Sequence, residues 1–171
     1  MASAVHNLQQ GIISGNQTLT QLLRQTKLLA AKLQLDDVEK WTDLELKGYP
    51  SNIEPPGYRQ IIIRHLEVRN PVRGWEFTGH LQSTKKVREP ITEIENLADS
   101  EHLNIPVPSG RNFPIRDGIG GSFGSNWPQR MVFEGKQFEH IVEAVKNELL
   151  EWTIELEKRG IKGEGMNFDE S

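Results

Sequence analysis

The chain has 171 residues, no cysteine and a net charge of −4, and 36% of its residues are hydrophobic. This length suits one domain with its own core, and this composition is typical of a globular protein. The lack of cysteine excludes disulfides, thiolate metal sites and cysteine nucleophiles. No apolar run approaches the roughly 18 residues that a membrane-spanning helix needs, and the first residues lack the pattern of a signal peptide. We therefore expect a cytoplasmic protein without membrane contact.

Three helices are predicted before the first proline. The second carries leucines at three- and four-residue spacing on one face. The third has aspartates at its start and a glycine at its end, which are usual signals of helix ends. Because only two residues separate these two helices, we expect an antiparallel hairpin. The first two helices are predicted at 4–14 and 18–33. The third is predicted to begin at Asp36 or Asp37 and to end at Gly48, with Val38, Trp41 and Leu44 facing inward.

The next segment has the alternation of a β-hairpin. Apolar and polar residues alternate in 64–69 and again in 75–81, and the residues between them have the composition of a turn. If residues 71–74 form the loop, the predicted pairs are Val68 with Phe77, Leu66 with Gly79, Arg69 with Glu76 and His65 with His80. This register predicts that Trp75, Phe77 and Leu81 face the core.

The remaining elements complete an α+β pattern. A short helix begins at Pro90, and prolines restrict residues 103–108 to the edge of a sheet. Residues 109–130 are expected to be mostly irregular and to precede a brief strand at 131–133. The final helix, 136–158, has an apolar stripe from Phe138 to Leu156. The predicted fold is an N-terminal helical hairpin and a long C-terminal helix packed on a small antiparallel sheet, with one domain at 1–159 and a glycine-rich, linker-like tail at 160–171.

A local anion site is one hypothesis for the middle of the chain. Seven basic and two acidic residues lie between positions 59 and 88, and residues 118–126 form a glycine-rich loop whose backbone N–H groups could bind a phosphate. Residues 120–124 also match G-x-S-x-G, but their flanks do not predict the strand and helix of a nucleophile elbow. The candidate ligand-binding residues are Arg64, Arg69, Arg111, Arg116, Gly120, Gly121 and Ser122.

The sequence favours a metal site and a nucleic-acid partner less than it favours an anion site. The predicted register brings His65, His80 and Glu67 together, and these side chains are possible metal ligands. A solvated hairpin face carries the same residue types, and no other ligand spacing supports a metal, so we expect no metal and no cofactor. The isoelectric point of 5.8 and the expected burial of Trp75 and Phe77 argue against a nucleic-acid partner.

The most specific sequence signals lie in the third and final helices. Residues 38–49 read Val-Glu-Lys-Trp-Thr-Asp-Leu-Glu-Leu-Lys-Gly-Tyr, and residues 145–157 place Trp152 in a leucine- and glutamate-rich helix. Together with Leu22-Leu23-Arg24, Tyr58-Arg59 and the stretch 105–108, they resemble the AbiTii family, which is associated with bacterial abortive-infection systems. The resemblance implies phage defence as the context, with the domain acting as a toxin-like unit or as a sensing or assembly module. It implies no catalytic residues.

The leading functional hypothesis is a non-catalytic interaction or oligomerisation module. Leu150 and Ile154 lie off the main stripe of the final helix, so they are candidate interface residues. Burial of the helix on two sides within the monomer is the other interpretation. The expected partner is a second copy or a fused or associated effector module. The alternatives are a small toxin or enzyme acting on nucleic acid or nucleotides, and a ligand sensor with an anion site.

Overall fold

The computed structural model describes residues 3–108, 111 and 127–163, with side chains described except at positions 64, 79–82 and 102. These residues form helices, strands and their connections. The elements in chain order are α1 (Ala4–Ser14), α2 (Leu19–Lys32), α3 (Asp36–Lys47), β1 (Gln60–Asn70), β2 (Gly74–Lys86), α4 (Ile91–Ala98), β3 (His102–Pro106), β4 (Gln129–Glu134) and α5 (Lys136–Lys158).

Local signals at the helix ends explain why the helices were predictable. Thr18 and Gln21 form a reciprocal capping box at the start of α2, in which each side chain accepts a hydrogen bond from the other residue's backbone N–H. Gly15 ends α1 with a left-handed φ of 67°. In α3 the predicted inward residues are only half-buried, and the fully buried positions are Thr42 and Glu45.

The four strands form one antiparallel sheet in the order β2-β1-β4-β3. Apolar residues of one face join the helices in a single core, and these strand residues are Ile61, Ile63, Leu66, Met131 and Phe133. The sheet, the N-terminal helices and the long C-terminal helix confirm the predicted α+β fold. Within the described ranges, no helix combines the length and apolar character required to cross a membrane.

The hairpin register differs from the prediction towards the turn. Leu66 pairs with Gly79 as expected, but Glu67 then pairs with Phe77, because Thr78 is an extra residue in β2. The Thr78 hydroxyl donates to the Leu66 carbonyl at 3.0 Å. This β-bulge makes the predicted pairs of Val68 with Phe77 and of Arg69 with Glu76 wrong: Val68 pairs with Glu76, and Arg69 pairs with Trp75.

Residues 160–163 continue past α5 and contact the N-terminus of α1. The carbonyls of Gly163 and Lys162 accept hydrogen bonds from the backbone N–H groups of Ala4 and Val5, at 3.5 and 3.4 Å. Ile161 packs against the core. The domain boundary at residue 159 stays a prediction, while α1 and the end of α5 are shown to lie side by side.

Candidate functional site

A buried ion pair lies where α3 meets the start of β1. Glu45 and Arg59 are both fully buried, and Arg59 Nη2 lies 2.6 Å from Glu45 Oε2. Arg59 Nε donates to both carboxylate oxygens, at 3.2 and 3.1 Å. Its Nη1 donates to the carbonyls of Val87 and Glu89, at 3.2 and 2.8 Å. Each guanidinium nitrogen therefore has an acceptor, which is what a buried charge requires.

The two tyrosines of the chain complete this network. Tyr49 and Tyr58 donate their hydroxyl protons to Glu45 Oε1, at 2.7 and 2.8 Å. Trp41 Nε1 in turn donates to the Tyr58 hydroxyl oxygen at 3.0 Å. Burial, followed by the nearby Glu45 carboxylate, raises the pKa of both tyrosines well above the ordinary value. Both phenols therefore remain protonated donors across the physiological pH range.

The network gives Trp41, Glu45 and Tyr49 of the third-helix motif a structural role. Through Tyr58 and Arg59, these side chains join α3 to the start of β1 and to the segment after β2. The sequence analysis missed the ion pair, because the two partners are 14 positions apart and no periodicity links them. The available signal was a glutamate on the inner side of an amphipathic helix. The candidate sites are therefore the surfaces that these residues leave open.

One such surface is the outer face of the sheet, opposite the helices. Trp75 and Phe77, expected in the core, lie on this face and are 38% and 55% exposed. The expectation was wrong because the bulge at Thr78 shifts β2 by one residue, and a one-residue shift moves every following side chain to the other face. We call this surface the outer-face platform and define it by Trp75, Phe77, Arg69, Arg73 and Arg130.

An arginine is fixed against one of the platform aromatics. The Arg130 guanidinium lies 4.3 Å from the centroid of the Trp75 ring. Arg130 also contacts Glu67 across the sheet, with Nε at 2.6 Å and Nη2 at 2.5 Å from Oε2. Phe77 meets His65 edge to face, with ring centroids 5.5 Å apart. Each of the two platform aromatics is thus held against a planar neighbouring group.

A groove adjoins the platform where α5 begins. It has a volume of about 400 Å³ and is lined by residues of β1, β4 and the first turn of α5. His65 lines the groove and also contacts Phe77, so the two features are continuous. Lys136 and His140 contribute basic side chains to the groove, and Glu134 contributes a carboxylate.

The structure describes the side chains of only two residues of the predicted anion site, Arg69 and Arg111. Arg69 is exposed on the platform, and Arg111 is exposed beyond β3, where its backbone N–H donates to the Pro108 carbonyl at 3.1 Å. The Arg64 side chain lies outside the described residues, although its backbone belongs to β1. Arg116, Gly120, Gly121 and Ser122 also lie outside the described residues, so the glycine loop stays a prediction.

The possible metal set is described only in part. His65 and His80 are paired across the hairpin as predicted, but the His80 side chain lies outside the described residues. Glu67 is engaged by Arg130. Among the residues whose placement is described, no group of three histidines or carboxylates is arranged to hold a metal ion.

A second surface lies along α1 and α5, which run antiparallel. Val5 lies against Lys162, and further along α1 the Gln9 side chain donates to Glu157 at 3.2 Å. Ile13 follows Gln9 by one turn, and Ile154 and Leu150 precede Glu157 by one and two turns, so all three lie along the same side of this helix pair. Ile13 is 68% exposed, and Leu150 and Ile154 are half-buried. We call these three residues the α1–α5 surface.

The comparisons with known proteins point to one family. The family model AbiTii matches residues 3–171, which is essentially the whole chain. The comparisons with curated proteins and with solved structures found no significant match.

Proposed function

The chain belongs to the AbiTii family, which implies a role in abortive-infection defence, and we propose that it acts there as a non-catalytic self-association module. The observation that carries the proposal is the α1–α5 surface, where Ile13, Leu150 and Ile154 leave apolar side chains on one side of two neighbouring helices. Transferring such side chains from water into an interface is favourable.

A second copy is the partner that this geometry favours. Two antiparallel helices form a ridged surface, and a copy related by a twofold axis presents the same ridges, so the two pairs can pack as a four-helix arrangement. The Gln9–Glu157 contact places polar groups beside the apolar residues, as at the rim of an ordinary interface. A fused or associated effector module is the alternative occupant of the same surface.

The test compares the native chain with a variant carrying Leu150→Glu and Ile154→Lys. We expect the native chain to be a dimer by sedimentation equilibrium and the variant to be a monomer that keeps the parent melting temperature. Leu28→Glu is the matched control, because Leu28 is an exposed leucine (47%) on α2, a different helix. This control should remain dimeric.

Two results would contradict self-association through the α1–α5 surface. If the native chain is monomeric at micromolar and higher concentrations, the surface does not bind a second copy, and an effector module becomes the better hypothesis. If the double variant unfolds while Ile13→Glu remains folded and dimeric, Leu150 and Ile154 serve the monomer core. In that case the interface lies elsewhere.

A further inference from the structure

We infer that the outer-face platform binds single-stranded nucleic acid by stacking unpaired bases on Trp75 and Phe77. The platform lies on the sheet face opposite the helices, so binding here goes beyond the proposed self-association. The sequence analysis argued against nucleic acid because of the isoelectric point of 5.8 and because these two rings were expected in the core. The structure removes the second objection, since both rings are exposed on one strand, with Arg130 over one face of Trp75.

The spacing of the two rings suits consecutive bases. Trp75 and Phe77 are two residues apart on β2 and therefore point to the same side, with Cα atoms about 6.6 Å apart at the usual rise of a strand. Exposed aromatic rings on a four-stranded antiparallel sheet are a known way of stacking two or three unpaired bases. A base inside a duplex could not stack on these rings, because its two faces are already covered by the neighbouring base pairs.

The charges around the rings favour an anionic partner. Arg69 is exposed directly across the hairpin from Trp75. Arg73 at the turn is 77% exposed and forms a long ion pair with Glu76, with Nη1 3.7 Å from Oε1. Arg130 also lies beside the rings, but its guanidinium already pairs with Glu67, so Arg69 and Arg73 are the cations that we assign to phosphate contacts. Phosphates of a strand stacked on the rings would lie within reach of these cations.

The groove at the start of α5 extends this surface. His65 links it to Phe77, and Lys136 and His140 are among its lining residues. A single-stranded nucleic acid that runs from Phe77 towards β4 would pass over His65 and reach these basic groups. We therefore assign the nucleic acid a path from the hairpin turn to the groove.

The first test measures binding of fluorescently labelled oligo(U) and oligo(dT) of about 12 nucleotides by anisotropy. We expect Trp75→Ala and Phe77→Ala each to weaken binding by roughly 5- to 150-fold, the range for losing one stacking side chain. Phe77→Leu keeps apolar area but removes the ring, so it should weaken binding in the same way. A duplex of the same length should bind more weakly than either single strand.

The second test separates phosphate contacts from stacking. Replacing both Arg69 and Arg73 by alanine should lower the slope of log K against log salt concentration by about 1.4, since each phosphate contact on a single strand contributes about 0.7. Lys32→Ala is the matched control, because Lys32 is an exposed cation at the end of α2. Its slope should equal that of the native chain.

Three outcomes would overturn the inference, and the first two are independent of the α1–α5 surface. The first is that no oligonucleotide binds at low salt. The second is that Phe77→Leu, folded by its melting temperature, binds as the native chain does. The third is that Trp75→Ala changes the oligomeric mass without changing oligonucleotide affinity, which would assign the platform to a protein contact instead.

Discussion

Glu45 and Arg59 form an ion pair in which neither side chain is accessible to solvent. Burying two charges costs more than their attraction returns unless the remaining hydrogen-bonding positions are filled. Here two tyrosine hydroxyls and two backbone carbonyls fill them. The pair therefore specifies how α3 sits on the start of β1, and removing either partner leaves the other charge buried without its counterion.

The first prediction concerns this pair. Arg59→Met should lower the free energy of unfolding by roughly 3–5 kcal/mol, because the Glu45 carboxylate stays buried while its cation is lost. Urea unfolding followed by circular dichroism measures the change. Arg159→Ala is the control: Arg159 directly follows α5, and its loss removes an exposed ion pair with Glu155 in the last turn of that helix, which should cost about 0.5 kcal/mol or less. A loss below about 1 kcal/mol for Arg59→Met would show that the pair does not hold the fold.

The second prediction uses the fact that Tyr49 and Tyr58 are the two tyrosines of the chain. Their pKa values are raised in the folded state, so absorbance at the tyrosinate wavelength should not rise near pH 10, where tyrosine ionises in the denatured chain. The folded state binds these protons more tightly than the unfolded state. Their contribution to stability is therefore complete below the unfolded pKa and is lost as pH rises above it.

The expected alkaline titration is thus coupled to unfolding. Tyrosinate absorbance and loss of far-ultraviolet circular dichroism should appear together, above the pH at which the chain in concentrated urea titrates. Ionisation of one or both tyrosines near pH 10 with full secondary structure retained would contradict the buried hydrogen bonds to Glu45.

The third prediction concerns Gly48, which ends α3 between Glu45 and Tyr49. Its φ is 92°, and a Cβ atom at this position would lie 2.7 Å from the Arg88 carbonyl oxygen. The neighbouring Tyr49 N–H donates to that same carbonyl at 2.8 Å. Gly48→Ala should therefore destabilise the protein by more than the roughly 1 kcal/mol expected from backbone strain alone.

Gly57 provides the matched control for this substitution. A Cβ atom at Gly57 meets no atom within 4 Å, and its φ does not lie in the left-handed region. Gly57→Ala should leave the melting temperature unchanged or raise it, because alanine restricts the unfolded chain. Equal effects of the two substitutions would mean that the close approach at Gly48 does not constrain the backbone.

The sequence by itself determined the elements whose signals are local. The capping box at Thr18 and the left-handed glycine at position 15 act through neighbouring residues, and the stripe of α5 repeats over its whole length. In these elements the 3.6-residue periodicity and the residues at the helix ends predict the same helix, and neither signal depends on a distant contact. The fold class followed from the order of such elements.

Tertiary structure alone decided the surfaces. One extra residue at Thr78 places Trp75 and Phe77 on the outer face of the sheet instead of the predicted inner face. The alternation of apolar and polar residues in one strand does not reveal such a bulge, because the bulge is defined by the pairing with the partner strand. The same limit applies to Glu45 and Arg59, since only packing α3 against β1 brings these distant charges together and withdraws both from water. Local sequence fixes which residues are helical or extended, whereas the face that each strand presents depends on pairing between distant segments.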